Sequence, residues 1–103
     1  MDRQRSEICY ELKLYVAGCT PRSILAIANF KSLCQERLKG RCHAEIIDLL
    51  RDPKKAKSAQ IVAIPTLVKE SPGLVKKMVG TLSDTDRVLA ALDLLPDREE
   101  KRN

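Results

Sequence analysis

The chain has 103 residues and a net charge of +5, from 19 Lys and Arg against 14 Asp and Glu, enough for one modest hydrophobic core and too short for two. No apolar run approaches the roughly 20 residues that span a bilayer, and the opening "MDRQRSE" lacks the basic, apolar, small-residue order of a secretory signal. The expectation is a single soluble, cytoplasmic domain over residues 1–103, with frayed tails at 1–9 and 96–103. Cys9, Cys19, Cys34 and Cys42 are irregularly spaced and read as free thiols. Basic and acidic residues are interleaved, and the aromatic inventory is Tyr10, Tyr15 and Phe30. This argues against base stacking on nucleic acid and favours an acidic patch on a protein partner as what the lysines meet.

In chain order, Leu12, Leu14 and Val16 alternate with Glu11, Lys13 and Tyr15, the period of a strand with one face on a core. The period changes after Gly18. Thr20 and Pro21 read as N-cap and first helical residue, because a threonine hydroxyl can accept an orphan amide and proline has no amide to leave unpaired. Ile24, Ile27, Phe30, Cys34 and Leu38 then recur at helical spacing, and Lys39-Gly40 supplies a stop. A second strand follows in "CHAEIIDLL", where Ile46 and Ile47 on opposite faces suggest a central position covered on both sides. Two strands joined by such a helix are parallel, in a right-handed crossover. Asp52-Pro53 opens a polar helix of two or three turns in "KKAKSAQIVA". "IPTLVKE" and "LVKKMVG", separated by Ser71-Pro72-Gly73, read as a β-hairpin. Ser83 with Asp86 resembles a capping box before a last helix with Val88, Ala91, Leu92 and Leu95 on one face, and Pro96 begins the polar tail. The order is β-α-β-α-β-β-α, an α/β fold with a mixed four-stranded sheet and three helices. That is the thioredoxin-like order.

Thioredoxin-like enzymes carry C-x-x-C between the first strand and its helix, with a proline before the third strand beside it. Here "CTPR" and Pro65 occupy those places. Cys19 would sit at a helix N-terminus, whose dipole favours thiolate. Arg22, however, stands where the resolving cysteine should be, which removes intramolecular dithiol exchange and leaves only a monothiol, glutathione-dependent scheme. Cys42-His43 is no metal pair, since neighbours on a strand point to opposite faces. Cys34 on an apolar helix face reads as a small buried hydrophobe. No phosphate loop, nucleophile elbow or triad is present. The expectation is no catalytic residue, no metal and no cofactor.

"LKLYVAGCTP", "IIDLLRDP", "IPTLVKE" and "LVKKMVGTLSDTDRVLAALDLL" closely resemble, in order and spacing, the blocks of the KaiB family of clock proteins, over roughly Tyr10 to Leu95. The resemblance implies a non-enzymatic protein that docks on the ATPase ring of a KaiC-type hexamer and modulates its phosphorylation cycle and output, with KaiA or a SasA-like histidine kinase as further partners. It also implies two folds: a tetramer with a rearranged C-terminal half, and a thioredoxin-like monomer competent to bind. The family motif "AGNTP" makes Cys19 a replacement for asparagine. Departures are Pro72-Gly73-Leu74 in place of a proline run, no longer acidic tail, Ala91 for glycine, and Leu25 and Glu45 at positions basic in the family. Lys13, Lys69, Lys76 and Lys77 match basic positions and are the expected partner contacts. Pro65, Pro72, Ala91 and Asp93 are the expected determinants of fold state, with a monomer favoured. The alternatives are a monothiol oxidoreductase using Cys19 and a stress-response adaptor for a SasA-like kinase.

Overall fold

The computed structural model describes residues 8–96; of the expected tails, 1–7 and 97–103 lie outside the described residues, while Ile8 packs against the core. Strand β1 (Tyr10–Val16) leads into helix α1 (Pro21–Ser32), which continues as a π-helical turn over Leu33–Arg37. Strand β2 (Cys42–Asp48), helix α2 (Lys54–Ser58), the hairpin β3 (Thr66–Ser71) and β4 (Lys76–Val79), and helix α3 (Thr85–Ala91) follow. The sheet order is β2-β1-β3-β4. β1 runs parallel to β2 and antiparallel to β3, and β3 is antiparallel to β4. The expected mixed sheet and element order are therefore present.

α1 starts where the cap residues place it. Thr20 is extended and its hydroxyl accepts from the Ser23 amide at 3.2 Å, with Pro21 as the first helical residue. Its buried face is Ser23, Ala26 and Phe30. Ile24, expected to face the core, is 55 % exposed, because Ser23 Oγ accepts from Ala17 N at 3.2 Å and fixes the helix with that residue inward. The π-helical turn bonds Leu38 N to Leu33 O, one residue further back than an α-helix would. The wider turn keeps both Leu33 and Leu38 buried. Lys39 and Gly40, at φ 52° and 80°, then reverse the chain, as the expected stop requires.

β2 is an edge strand, not the central one expected. Ile47 is buried but Ile46 is 39 % exposed; the inner place in the sheet is taken by β3, which pairs with the other side of β1. α2 is shorter than expected, at five residues. The cap of α3 is Asp84 rather than Ser83: its carboxylate accepts from Arg87 N at 3.3 Å, while the Ser83 hydroxyl pairs with that of Thr81. α3 ends at Ala91, and Asp93 at φ 55° turns the chain so that Leu92 and Leu94 are buried while Ala91 and Leu95 stay exposed.

Residues directly opposite across a ladder share a face, so the pairings Leu12↔Lys69, Leu14↔Leu67 and Leu67↔Met78 define one face and Lys13↔Val68, Tyr15↔Thr66 and Val68↔Lys77 the other. α1 and α3 cover the first, where Leu12, Leu14, Phe30, Leu67, Val88 and Leu92 form the centre of the main core. The second carries a small cluster of Tyr15, Ile47, Leu49 and Val68 beneath Ala56, Ala59 and Ile61.

Candidate partner-binding surface

The turn after β1 is fixed by one carboxylate. Asp48, at the end of β2, accepts from Gly18 N and Leu50 N, both at 2.9 Å. The Gly18 amide first, then that of Leu50, holds its carboxyl below the usual range. Gly18 has φ +65°, so glycine is required for backbone conformation; a Cβ there would also meet Leu50 Cδ1 at 2.7 Å, though that is the tip of an exposed side chain free to move aside. Cys19 follows, exposed and free. Arg22 is exposed one turn into α1, and buried Pro65, after a cis peptide bond from Ile64, precedes β3. This region has the outline of a thiol-exchange site without its second sulphur. Among the described residues no group of His, Cys, Asp and Glu could hold a metal ion.

The four sequence-predicted contact lysines divide two and two. Lys13 and Lys77 project on the face bearing the small cluster, and Lys69 and Lys76 on the face bearing the main core. Lys13 pairs with Glu70 at 3.2 Å, and that hydrogen bond raises the lysine's pKa. Lys77 Nζ donates to the carbonyls of Ala59 and Gln60 at 2.9 and 3.1 Å. It thereby ties β4 to the segment after α2. Lys69 is only 3 % exposed, and its Nζ donates to Pro72 O at 2.7 Å across the hairpin turn. Lys76 pairs with Asp93 at 2.7 Å.

Of the expected fold-state positions, Pro72 and Asp93 are joined through these lysines. Lys69, Pro72, Leu74, Lys76, Asp93 and Tyr10 are among the residues lining one open cavity of about 340 Å³ between the hairpin turn and the end of α3. The Lys76 ammonium, by hydrogen bond and then by charge, lowers the pKa of the Asp93 carboxyl, and Lys69 adds to it. Pro65 lies apart from this group, and Ala91 is the last helical residue, exposed. Sequence reading missed the Tyr10 hydroxyl, which accepts from Leu95 N at 3.0 Å, and Arg41 Nη2, which donates to Leu95 O at 2.7 Å. Together they hold the chain beyond α3 against the start of the sheet. A lone tyrosine opening a strand is the signal that was available.

The geometry defines a class: a thioredoxin-fold domain whose exchange position holds one exposed cysteine and no resolving partner. Solved structures agree on the fold. Mitochondrial thioredoxin 3 from Saccharomyces cerevisiae superposes with TM-score 0.67 at 19% identity, covering 89% of this chain and 86% of that one. The Drosophila thioredoxin Deadhead gives 0.67 at 13% identity, over 87% of each. The KaiB domain family matches residues 13–94. The chain is 43% identical over 93 residues to the circadian clock oscillator protein KaiB of Gloeothece citriformis, covering 90% of this chain and 88% of the relative. It is 45% identical over 86 residues to that of a Nostoc species (84% and 80%), and 41% identical over 86 residues to circadian clock protein KaiB3 of a Synechocystis species (84% of each). The chain belongs to the KaiB family.

Proposed function

We propose that this protein is a non-enzymatic clock-type regulator that docks stoichiometrically on a KaiC-type ATPase hexamer and modulates its phosphorylation cycle and output, with KaiA or a SasA-like histidine kinase as further partners. The observation that carries the reading is family membership over residues 13–94, joined to a thioredoxin-like arrangement in which Arg22 replaces the resolving cysteine. The reading places the protein in the cytoplasm as a single-domain monomer that uses no cofactor.

Within this proposal Lys77 and Lys13 contact the ring, and Lys69 and Lys76 serve the docked state by holding the hairpin turn and the end of α3 in place. Lys77 leads because its acceptors are neutral carbonyls, so its field is not cancelled locally, whereas Lys13 and Lys76 each face a carboxylate. Ala91 supports a thioredoxin-like resting state only weakly, because as the last residue of α3 it gains less than the helix-interior preference of alanine over glycine. The test is size-exclusion chromatography of the full chain with a KaiC-type hexamer in ATP. Co-elution is expected; loss of co-elution together with binding to the sensor domain of a SasA-like kinase would replace the ring by the kinase as the partner.

A further inference from the structure

The sequence treats Cys34 and Cys42 as unrelated, one in a helix face and one opening a strand. The fold brings them together. Cys42 lies opposite Tyr10 in the parallel ladder, so its side chain is on the face that α1 covers. Cys34 sits in the π-helical turn above that face, and both half-buried thiols pack against the same core. The chain between them reverses through Lys39 and Gly40, with Gly40 N donating to Cys34 O at 3.0 Å. The Cys42 thiol is close enough to act on the Cys34 thiol. An open cleft of about 260 Å³, lined by Phe30, Cys34, Ala44 and Ile46 among others, brings solvent to the Cys34 side of the pair, and Cys42 is itself half-exposed.

We propose that Cys34 and Cys42 form a reversible intramolecular disulfide under peroxide, linking the end of the helical segment to the edge strand. Burial and the neighbouring thiol push the Cys34 pKa up, so Cys34 stays protonated and the reaction begins at Cys42. The Cys42 thiolate attacks one oxygen of hydrogen peroxide; the O–O bond breaks, a sulfenic acid forms, and the departing hydroxide takes up a proton to become water. The Cys34 sulphur then attacks the sulfenic sulphur. The S–S bond forms as the S–O bond breaks, and the Cys34 proton leaves with the hydroxyl as a second water. Two thiols lose two electrons, and one peroxide gains them. External dithiol reverses the step by exchange.

Cys9 and Cys19 are both exposed and are the rivals. Cys9 is one residue from β1, near Cys42 in the sheet but of opposite parity to Tyr10, and Cys19 is at the far end of the strand. The experiment is a hydrogen peroxide titration of the wild-type chain, followed by alkylation of remaining thiols and non-reducing peptide mapping. The expected product is a monomer that has lost two hydrogens, with the peptides of Cys34 and Cys42 linked and with both thiols regained in dithiothreitol. A Cys9→Ser/Cys19→Ser variant should give the same link, and Cys42→Ser should lose it. Recovery of Cys34 and Cys42 as alkylated thiols while Cys9 or Cys19 is oxidised would overturn the proposal, as would a Cys9–Cys42 link as the main product. Mapping needs only the wild-type protein, so a variant that fails to fold leaves the result intact.

Discussion

The two faces of the sheet are built to different standards. One is closed by α1 and α3 over fourteen buried residues, and the other holds four beneath a five-residue helix. Since burial of apolar area is the main stabilising term, fold stability resides on the first face. The second face keeps Lys13 and Lys77 at its surface, and the one large aromatic on it, Tyr15, is buried. A thinly covered face costs the fold less than the other when residues on it change, which would suit the partner contact proposed for Lys13 and Lys77.

The largest expected effect tests that asymmetry directly. Phe30→Ala, at 1 % exposure in the main core, should cost about 3–5 kcal/mol, and Ile47→Ala in the small cluster about 2 kcal/mol, read from urea midpoints at constant slope. Equal losses at the two sites would show that the faces contribute alike.

The next concerns the bridge between hairpin and α3 on the well-built face. The Asp93 carboxyl is lowered by Lys76. Its stabilising contribution is thus fully present above the unfolded carboxylate value of about 3.9 and is lost as pH falls through the lower folded value. Asp93→Asn keeps a residue tolerant of the left-handed φ and removes the charge. The variant should melt below wild type at neutral pH, and the gap should close in acid beneath the normal carboxylate range. A gap that persists there would assign the effect to backbone conformation instead of charge.

How far this asymmetry could be read from sequence depends on how local its causes are. β1, the Thr20-Pro21 helix start, the Lys39-Gly40 stop and the hairpin were legible, because each rests on a few adjacent residues. The edge position of β2 was not, because strand order is decided by β3 pairing with β1 across more than fifty residues of chain. Ile24 misled because the bond that Ala17 N donates to Ser23 Oγ set the rotation of α1, and hydrophobic spacing does not register such a bond. The four lysines were legible as basic positions, but their division between faces follows from pairing register, which no spacing within one strand contains.

A smaller effect is expected in association. Lys77→Glu should slow binding to a KaiC-type hexamer several-fold at low salt, and the difference should shrink as salt rises. Lys13→Glu and Lys76→Glu should change the rate less, because each lysine is already paired. Stopped-flow rates across a salt series check this, and an unchanged rate for Lys77→Glu would remove the second face from the contact. The smallest effect is at the turn shared by both faces. Cys19→Ser should leave melting temperature and binding unchanged, and wild type should show no glutathione-dependent turnover; a turnover that disappears in the variant would restore the enzyme reading.

Among the described residues β2, by lying outermost, leaves one side of a seven-residue ladder without a partner strand. The opposite border, β4, is four residues long and carries Lys76 and Lys77, the kind of short, charged strand that discourages sheet-to-sheet addition. β2 has a weaker guard, in which the exposed Ala44 and Ile46 alternate with His43 and Glu45. His43 is turned toward Glu11, 3.0 Å away on β1, so copies of this chain meeting edge to edge along β2 would face one another chiefly through Glu45 and the exposed Ala44 and Ile46. This border is where edge-to-edge addition in concentrated solution is expected first, and Ile46→Lys is the substitution that most directly closes it.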